Sequence, residues 1–380
     1  MTSPPTCLVV HPGAELFGSD RMMLESVRGL AMAGMRVIVA LPERGPLVRK
    51  LMDAGAEVVI VPLLVLRKSL LRPAAWPTLI RTTLRDIGAA WRLLRRQAPH
   101  VVYVSTVTLP LWPLMSRLLR VPVVSHVHEA EASGSRFVNR VVYAPHLLAS
   151  AVLVNSTFSR RTIAQTWPSL AARAAIVHNG VVGPDRPTAP REELDGLRVL
   201  YIGRLSPRKG VADAVRAIGE LNGRGIRASL TILGSVYAGY EWFEQELREL
   251  VDDIGADRVA FIGFRNDIWP VLADHDVLAV PSRMDEPFGN TAVEGVLAGR
   301  PVIASDTSGL REAAGGYATT MLVPPGSPEA LASAIADVGS RWGAIRAHLE
   351  SAAAEARRRH APEAYRAAIA EAVQDVSRTA

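Results

Sequence analysis

Val277-Leu278-Ala279-Val280-Pro281-Ser282-Arg283-Met284-Asp285-Glu286-Pro287-Phe288-Gly289-Asn290-Thr291-Ala292-Val293-Glu294 reads as a strand, a proline-bounded loop and the opening of a helix. Four apolar residues without alternation are typical of a strand covered on both faces, as in a parallel sheet. Glu286 then stands on the loop and Glu294 about a turn inside the helix. The backbone N–H groups of Gly289, Asn290 and Thr291 would line the helix start, at the positive end of its dipole, where an anion is stabilised. Gly289 lets the backbone approach a ligand closely, and Pro287 stiffens the loop.

The same unit repeats outward in both directions. Strands are expected at 199–202, 230–233, 259–262 and 302–304, with helices at 211–221, 242–254 and 291–298. In the first half, strands are expected at 8–10, 37–41, 58–61, 101–104, 123–125 and 152–155, with an amphipathic segment at 22–32 closed by Gly34. Between the halves, at 183–196, the apolar pattern lapses into proline, charge and glycine, as in a linker. The alanine-rich tail from about 328 is helical until Pro362 interrupts it, so a last helix at about 363–380 can turn back to the first domain. The expected fold is α/β, with two doubly wound, Rossmann-like domains facing a central cleft. The first spans 1–185 plus the last helix, and the second spans 196–362. In such sheets ligands gather beyond the carboxyl ends of the strands.

Length and composition agree with two folded lobes. The chain has 380 residues, 49% of them hydrophobic and 21% charged, too many for one ordinary core and too apolar for disorder. Cys7 is the only cysteine, which rules out an internal disulfide and suits a reducing cytoplasm. The start has no basic region followed by an apolar one, and no apolar run reaches the ~20 residues of a membrane span. A cytoplasmic protein is expected.

Glu286-Pro-Phe-Gly-x4-Glu294 resembles the paired-glutamate motif of glycosyltransferase family 4, the retaining transferases of the GT-B fold. The resemblance implies that Glu286 contacts the donor sugar, that the amides of Phe288, Gly289, Asn290 and Thr291 touch sugar hydroxyls and phosphate, and that Glu294 holds the ribose. Gly203-Arg204-Leu205-Ser206-Pro207-Arg208-Lys209-Gly210, after the opening strand of the second half, resembles the family's diphosphate loop. Arg204 offers a planar fork to phosphate oxygens and Lys209 a compact charge. In Ser125-His126-Val127-His128-Glu129 the resemblance puts His128 towards the donor sugar and acceptor, and leaves His126 as a packed histidine. A metal is not expected there, because third and fourth ligands at suitable spacing are missing.

Weaker pieces follow in the same order along the chain. Gly13, Gly18 and Ser19 lie on a loop after the first strand, where the resemblance implies backbone amides near diphosphate and acceptor. Asn155 and Asn179 end later strands and would line the acceptor side. Gly234 follows a strand of the second half, and Phe264 and Arg265 end another where the family cradles the nucleotide base. Asp274-His275-Asp276 looks superficially like a metal-binding Asp-x-Asp, but its place before the strand at 277–280 reads as a corner.

These pieces imply a metal-independent, retaining hexosyltransferase that moves a sugar from a UDP- or GDP-linked donor to a glycan or polyprenyl- or other lipid-linked acceptor, in cell-envelope polysaccharide or glycolipid synthesis. No cofactor is required. A nucleotide-sugar epimerase or hydrolase on the same fold, and a non-catalytic glycan- or lipid-binding scaffold, remain open. A nicotinamide dehydrogenase is disfavoured, since no Gly-x-Gly-x-x-Gly follows the first strand. The formal charge of +6 is uneven: the segment 67–96 holds eight basic residues against Asp86 alone, interleaved with leucine and tryptophan. It reads either as a solvated helix face or as a surface for anionic lipid at the inner membrane face. Nucleic acid is disfavoured, because no finger, aromatic ladder or helix-turn-helix accompanies it.

Overall fold

The computed structural model describes residues 4–66, 70, 73–129, 135–236, 239–255 and 258–379. Two compact units divide them, one of 1–180 with 362–380 and the other of 181–361. In the first unit the strands β1 (Thr6–Val10), β2 (Arg36–Leu41), β3 (Glu57–Ile60), β4 (Val101–Val104), β5 (Val123–Val127), β6 (Ala151–Val154) and β7 (Ala174–Ile176) form a parallel sheet in the order β3-β2-β1-β4-β5-β6-β7. The order reverses between β1 and β4. Its described helices are α1 (Gly18–Met32), α2 (Pro46–Asp53), α3 (Trp76–Gln97), α4 (Leu111–Leu118), α5 (Arg136–Tyr143), α6 (Thr157–Ala164) and α7 (Pro168–Ala172).

The second unit repeats the plan. Strands β8 (Leu197–Ile202), β9 (Ala228–Leu233), β10 (Val259–Gly263), β11 (Val277–Val280), β12 (Val302–Ser305) and β13 (Thr320–Val323) run parallel in the order β10-β9-β8-β11-β12-β13. Here the reversal falls between β8 and β11. Helices α8 (Val211–Gly223), α9 (Glu241–Ile254), α10 (Trp269–Ala273), α11 (Asn290–Leu297), α12 (Ser308–Ala314), α13 (Pro328–Ser340), α14 (Trp342–Arg346) and α15 (Leu349–Arg359) belong to it, and α16 (Pro362–Arg378) closes the chain on the first unit.

Strand pleating sends alternate residues to opposite cores. Leu8 and Val10 of β1 pack with Leu93 and Leu94 of α3 and Trp112 of α4, whereas Cys7 and Val9 pack with Met23 and Val27 of α1 and Ile369 and Val373 of α16. Pro362 fits the first turn of α16, where its missing N–H costs nothing. The seat of α16 is fixed by the Tyr365 hydroxyl at 2.8 Å from Ser26 Oγ, by Arg366 Nε donating to Glu25 at 2.6 Å, and by Gly29, where a Cβ would meet the Arg366 carbonyl oxygen at 2.5 Å.

The largest departures from the sequence reading are two strands and one helix start. β7 and β13 are additional: one is three residues of Ala-Ala-Ile and the other is a partly exposed edge strand, both too short for a period to show. α1 begins at Gly18 rather than near 22, because Asp20 accepts the Phe17 N–H at 2.8 Å and caps a turn that reads as glycine loop. Asp274-His275-Asp276 is a corner between α10 and β11, with Asp276 accepting from Arg191 at 2.6 Å and from the Arg198 N–H at 2.8 Å.

Candidate active site

Some of the sequence-expected residues gather at the reversal point of each sheet, and others lie at strand ends further off. In the second unit the loops after β8 and β11 are neighbours because their strands are neighbours. Lys209 Nζ donates to Glu286 Oε2 at 2.8 Å, and Ser282 Oγ donates to Glu286 Oε1 at 2.9 Å. Both carboxylate oxygens of a residue only 8% exposed are thus held. Lys209 spends one of its three donors there. Arg204 is exposed on the loop after β8, with its carbonyl accepting from the buried Tyr201 hydroxyl at 2.8 Å. Arg283 Nε donates at 2.7 Å to the buried Asp213 in the first turn of α8, tying the two loops from below.

Close backbone packing fixes these loops. At Gly234, whose φ is +154°, a Cβ would stand 1.8 Å from the Gly203 carbonyl oxygen. At Gly309 in α12 it would stand 1.9 Å from the Glu286 carbonyl oxygen and 2.9 Å from the Phe288 nitrogen. Gly289, with φ +125°, leads into α11, and Asn290 and Thr291 form its first turn half-buried. Glu294 is buried one turn further on. Phe288 has its ring in the core, set edge-on to His360, so a ligand could reach only its backbone, the part to which the resemblance gives a role. Phe264 and Arg265 are exposed at the end of β10, two strands from β8.

In the first unit the reversal point is bridged by a residue to which the sequence reading gave no role. His11, at the end of β1, lies 2.6 Å through Nδ1 from Ser105 Oγ beyond β4, and its Nε2–H donates to Asp20 Oδ1 at 2.8 Å. Since Asp20 also takes the Phe17 N–H, this one carboxylate joins the sheet edge to the loop that carries Gly13 and Gly18. Ser19 is exposed in the first turn of α1. The pairing of a strand-end histidine with an acid nine residues on was the available signal, hidden among glycines.

His128 directly follows β5 and is buried, its ring 3.9 Å from that of His126. Burial, aided by the nearby His11, pushes the His128 imidazole down to about 3, and its Nε2 has no hydrogen-bond partner among the described residues. His128 is therefore neutral at ordinary pH. His126 is fully buried and 2.5 Å from the Tyr103 hydroxyl, which joins it through Ser26 to Tyr365 of α16. The next residue, Glu129, accepts from Thr106 Oγ1 and from the Val107 N–H, and desolvation raises its carboxyl above the usual range. Asn155 caps the same edge: its Oδ1 accepts from Ser159 Oγ at 2.7 Å and its Nδ2 lies 3.5 Å from the His128 carbonyl oxygen. Asn179 is buried beyond β7, two strands from β5.

Two family models match the chain, Glycosyltransferase Family 4 over residues 18–182 and Glycosyl transferases group 1 over residues 196–340. A 2-deoxystreptamine N-acetyl-D-glucosaminyltransferase of Streptomyces fradiae is 30% identical over 292 residues, 69% of this chain and 66% of its own. A 2-deoxystreptamine glucosyltransferase of Streptomyces kanamyceticus is 28% identical over 272 residues, 64% of this chain and 69% of its own. The match thus spans about two thirds of these relatives. Among solved structures, Anabaena HepE in complex with UDP and glucose superposes with a TM-score of 0.81 at 23% identity, over 97% of this chain and 99% of that one.

Proposed function

The chain belongs to glycosyltransferase family 4, and from that premise we propose that it moves a sugar from a UDP- or GDP-linked donor to a glycan or lipid-linked acceptor with retention of anomeric configuration. The observation that carries this reading is the Lys209–Glu286 contact at the β8/β11 reversal, beside the exposed Arg204 and the first turn of α11. An anionic diphosphate drawn to that edge meets a guanidinium, an ammonium and a helix N-terminus. Those groups stabilise the negative charge that grows on the leaving phosphate, and they do so without a divalent ion. The complex of Anabaena HepE with UDP and glucose is in line with such a donor.

On this reading the anomeric C–O bond to the diphosphate breaks as the acceptor oxygen bonds to the same face, and the acceptor proton passes to the departing phosphate oxygen. Glu286 orients the sugar hydroxyls and Glu294 the ribose. His128, held neutral by burial, orients sugar and acceptor by hydrogen bonding rather than by carrying charge. The acceptor belongs to cell-envelope polysaccharide or glycolipid synthesis, at the cytoplasmic face of the membrane.

Calorimetry with UDP and GDP, and mass spectrometry of products, test the proposal. Glu294→Ala weakens nucleotide binding, whereas Lys209→Ala leaves binding within a few fold and cuts turnover on the order of 10²-fold. Unchanged transfer and donor affinity in both variants would discard the assignment. Donor consumption without acceptor would move it to a hydrolase or epimerase.

A further inference from the structure

The basic stretch singled out in the sequence has no part in the chemistry above, and its described part is α3. Arg67, Lys68 and Arg72 lie outside the described residues. The exposed side of α3 is divided lengthwise. Trp76, Ile80, Leu84 and Trp91 project to solvent along one arc, with Leu84 65% exposed, while Arg81, Arg85, Arg92 and Arg95 occupy the adjoining arc. The acid of this helix, Asp86, faces inward and accepts the Leu64 N–H at 3.0 Å.

Neighbouring helices extend the pattern. α3 packs against α4, and α4 against the 3-10 turn Ala144–Leu148, which also packs against α5. α4 exposes Leu114 and Leu118 beside Arg117, with Leu118 68% exposed. α5 exposes Phe137 and Val141 beside Arg136 and Arg140, with Phe137 74% exposed. Single exposed apolar residues are ordinary, but eight large ones on three linked helices, with arginine as their charged company, form a patch that a monomer in water would not keep for stability.

We propose that the α3–α4–α5 face of the first unit seats the protein on an anionic lipid bilayer, with the aromatic and aliphatic side chains in the headgroup region and the arginines on lipid phosphates. No described helix is long and apolar enough to cross a membrane, and the attachment proposed for this face is a peripheral one. The chemistry selects lipid over other polyanions: nucleic acid would use the arginines and leave Ile80, Leu84, Leu118 and Phe137 in water, whereas a bilayer takes both sets. The face also adjoins the acceptor edge. In a parallel sheet the helix leading into β4 starts at the carboxyl edge, so Trp76 at the head of α3 and Phe137 at the head of α5 lie at the edge where β5 delivers His128. This last step rests on the proposed function, and makes the acceptor an amphiphile drawn from that membrane. The attachment itself does not rest on it.

Flotation of the full chain with vesicles of phosphatidylcholine, with and without one third phosphatidylglycerol, tests the surface. Wild type floats with the anionic vesicles and much less with the neutral ones, and part of the binding persists in high salt because apolar insertion is not screened. Ile80→Glu with Leu84→Glu lowers partitioning at least tenfold. Arg81→Gln, Arg85→Gln and Arg92→Gln each lower it by about fivefold on anionic vesicles only. All these side chains are exposed, and unchanged thermal melting confirms the fold of each variant. Unchanged flotation of the Ile80/Leu84 variant, equal recovery on neutral vesicles, or binding abolished by RNA competition would overturn the proposal. Donor binding measured without vesicles is unaffected by these substitutions, so loss of the membrane surface and loss of the transferase reading are told apart.

Discussion

At the residue scale, two glycines with opposite surroundings separate close packing from mere flexibility. Gly309 has the Glu286 carbonyl oxygen 1.9 Å from where a Cβ would stand, and the contact is backbone, which cannot swing away. Gly309→Ala therefore displaces the Glu286 loop, costing about 2 kcal/mol or more of stability and at least tenfold in donor affinity. Gly343, within α14, has nothing within 4 Å, so Gly343→Ala stabilises by about 0.5–1 kcal/mol and leaves donor binding alone. Thermal melts and calorimetry on the two variants decide the matter, and equal effects would refute the contact argument. Asp20 is the corresponding test in the first unit. Asp20→Asn keeps the shape but weakens the carboxylate shared by His11 and the Phe17 N–H. A loss of about 1–3 kcal/mol is expected, with turnover falling more than donor affinity because the loop lies in the other unit from Glu294.

At the element scale, β5 and its surroundings make the first unit sensitive to acid. Burial holds His126 well below the usual imidazole value of 6.5, His128 down to about 3 and His146 down to about 4. Each binds a proton more readily in the unfolded chain, so the stability they contribute is complete above about 6.5 and is lost as pH falls through 4 to 3. Asp86 has the opposite sign: burial raises it from 3.8 to about 6, so its contribution is present below 3.8 and is lost as pH rises through 6. Glu129, whose carboxyl desolvation also raises, shares the sign of Asp86; the three imidazoles outweigh these two carboxyls, and the melting temperature of the first unit is expected to fall steadily from pH 7 to pH 4. His146→Gln, removing one of the three, gives a shallower dependence in scanning calorimetry. A melting temperature flat over that range would contradict the buried-neutral account.

For the whole molecule, the chain enters the first unit, builds the second, and returns by one helix. α16 supplies Tyr365, Ile369, Val373 and Val376 to a core otherwise made by residues before 180. A chain ending at Ala361 exposes that core, so the first unit loses its cooperative unfolding transition while the second, which ends at Ala361 and whose cores contain nothing beyond α15, keeps its own. Calorimetry of the truncated protein, read together with nucleotide binding, distinguishes this from general collapse. Donor affinity survives if the second unit is intact.

Local chemistry made much of this protein legible in the sequence. Apolar runs between glycines and prolines announced eleven of the thirteen described strands, because parallel strands buried on both faces cannot hide their composition. The residues of Glu286-x7-Glu294 and of the Arg204–Lys209 loop stand within short stretches, so their types and spacing could be read directly. What the order of residues could not state was which ends of which strands meet. The His11–Ser105 and Lys209–Glu286 contacts, the seat of Gly309 under Glu286 and the exposure of Ile80 and Leu84 all join or orient segments far apart in the chain. Sheet order and helix packing alone decide them, since a hydrogen bond or a buried face depends on distance in space and not on distance along the sequence.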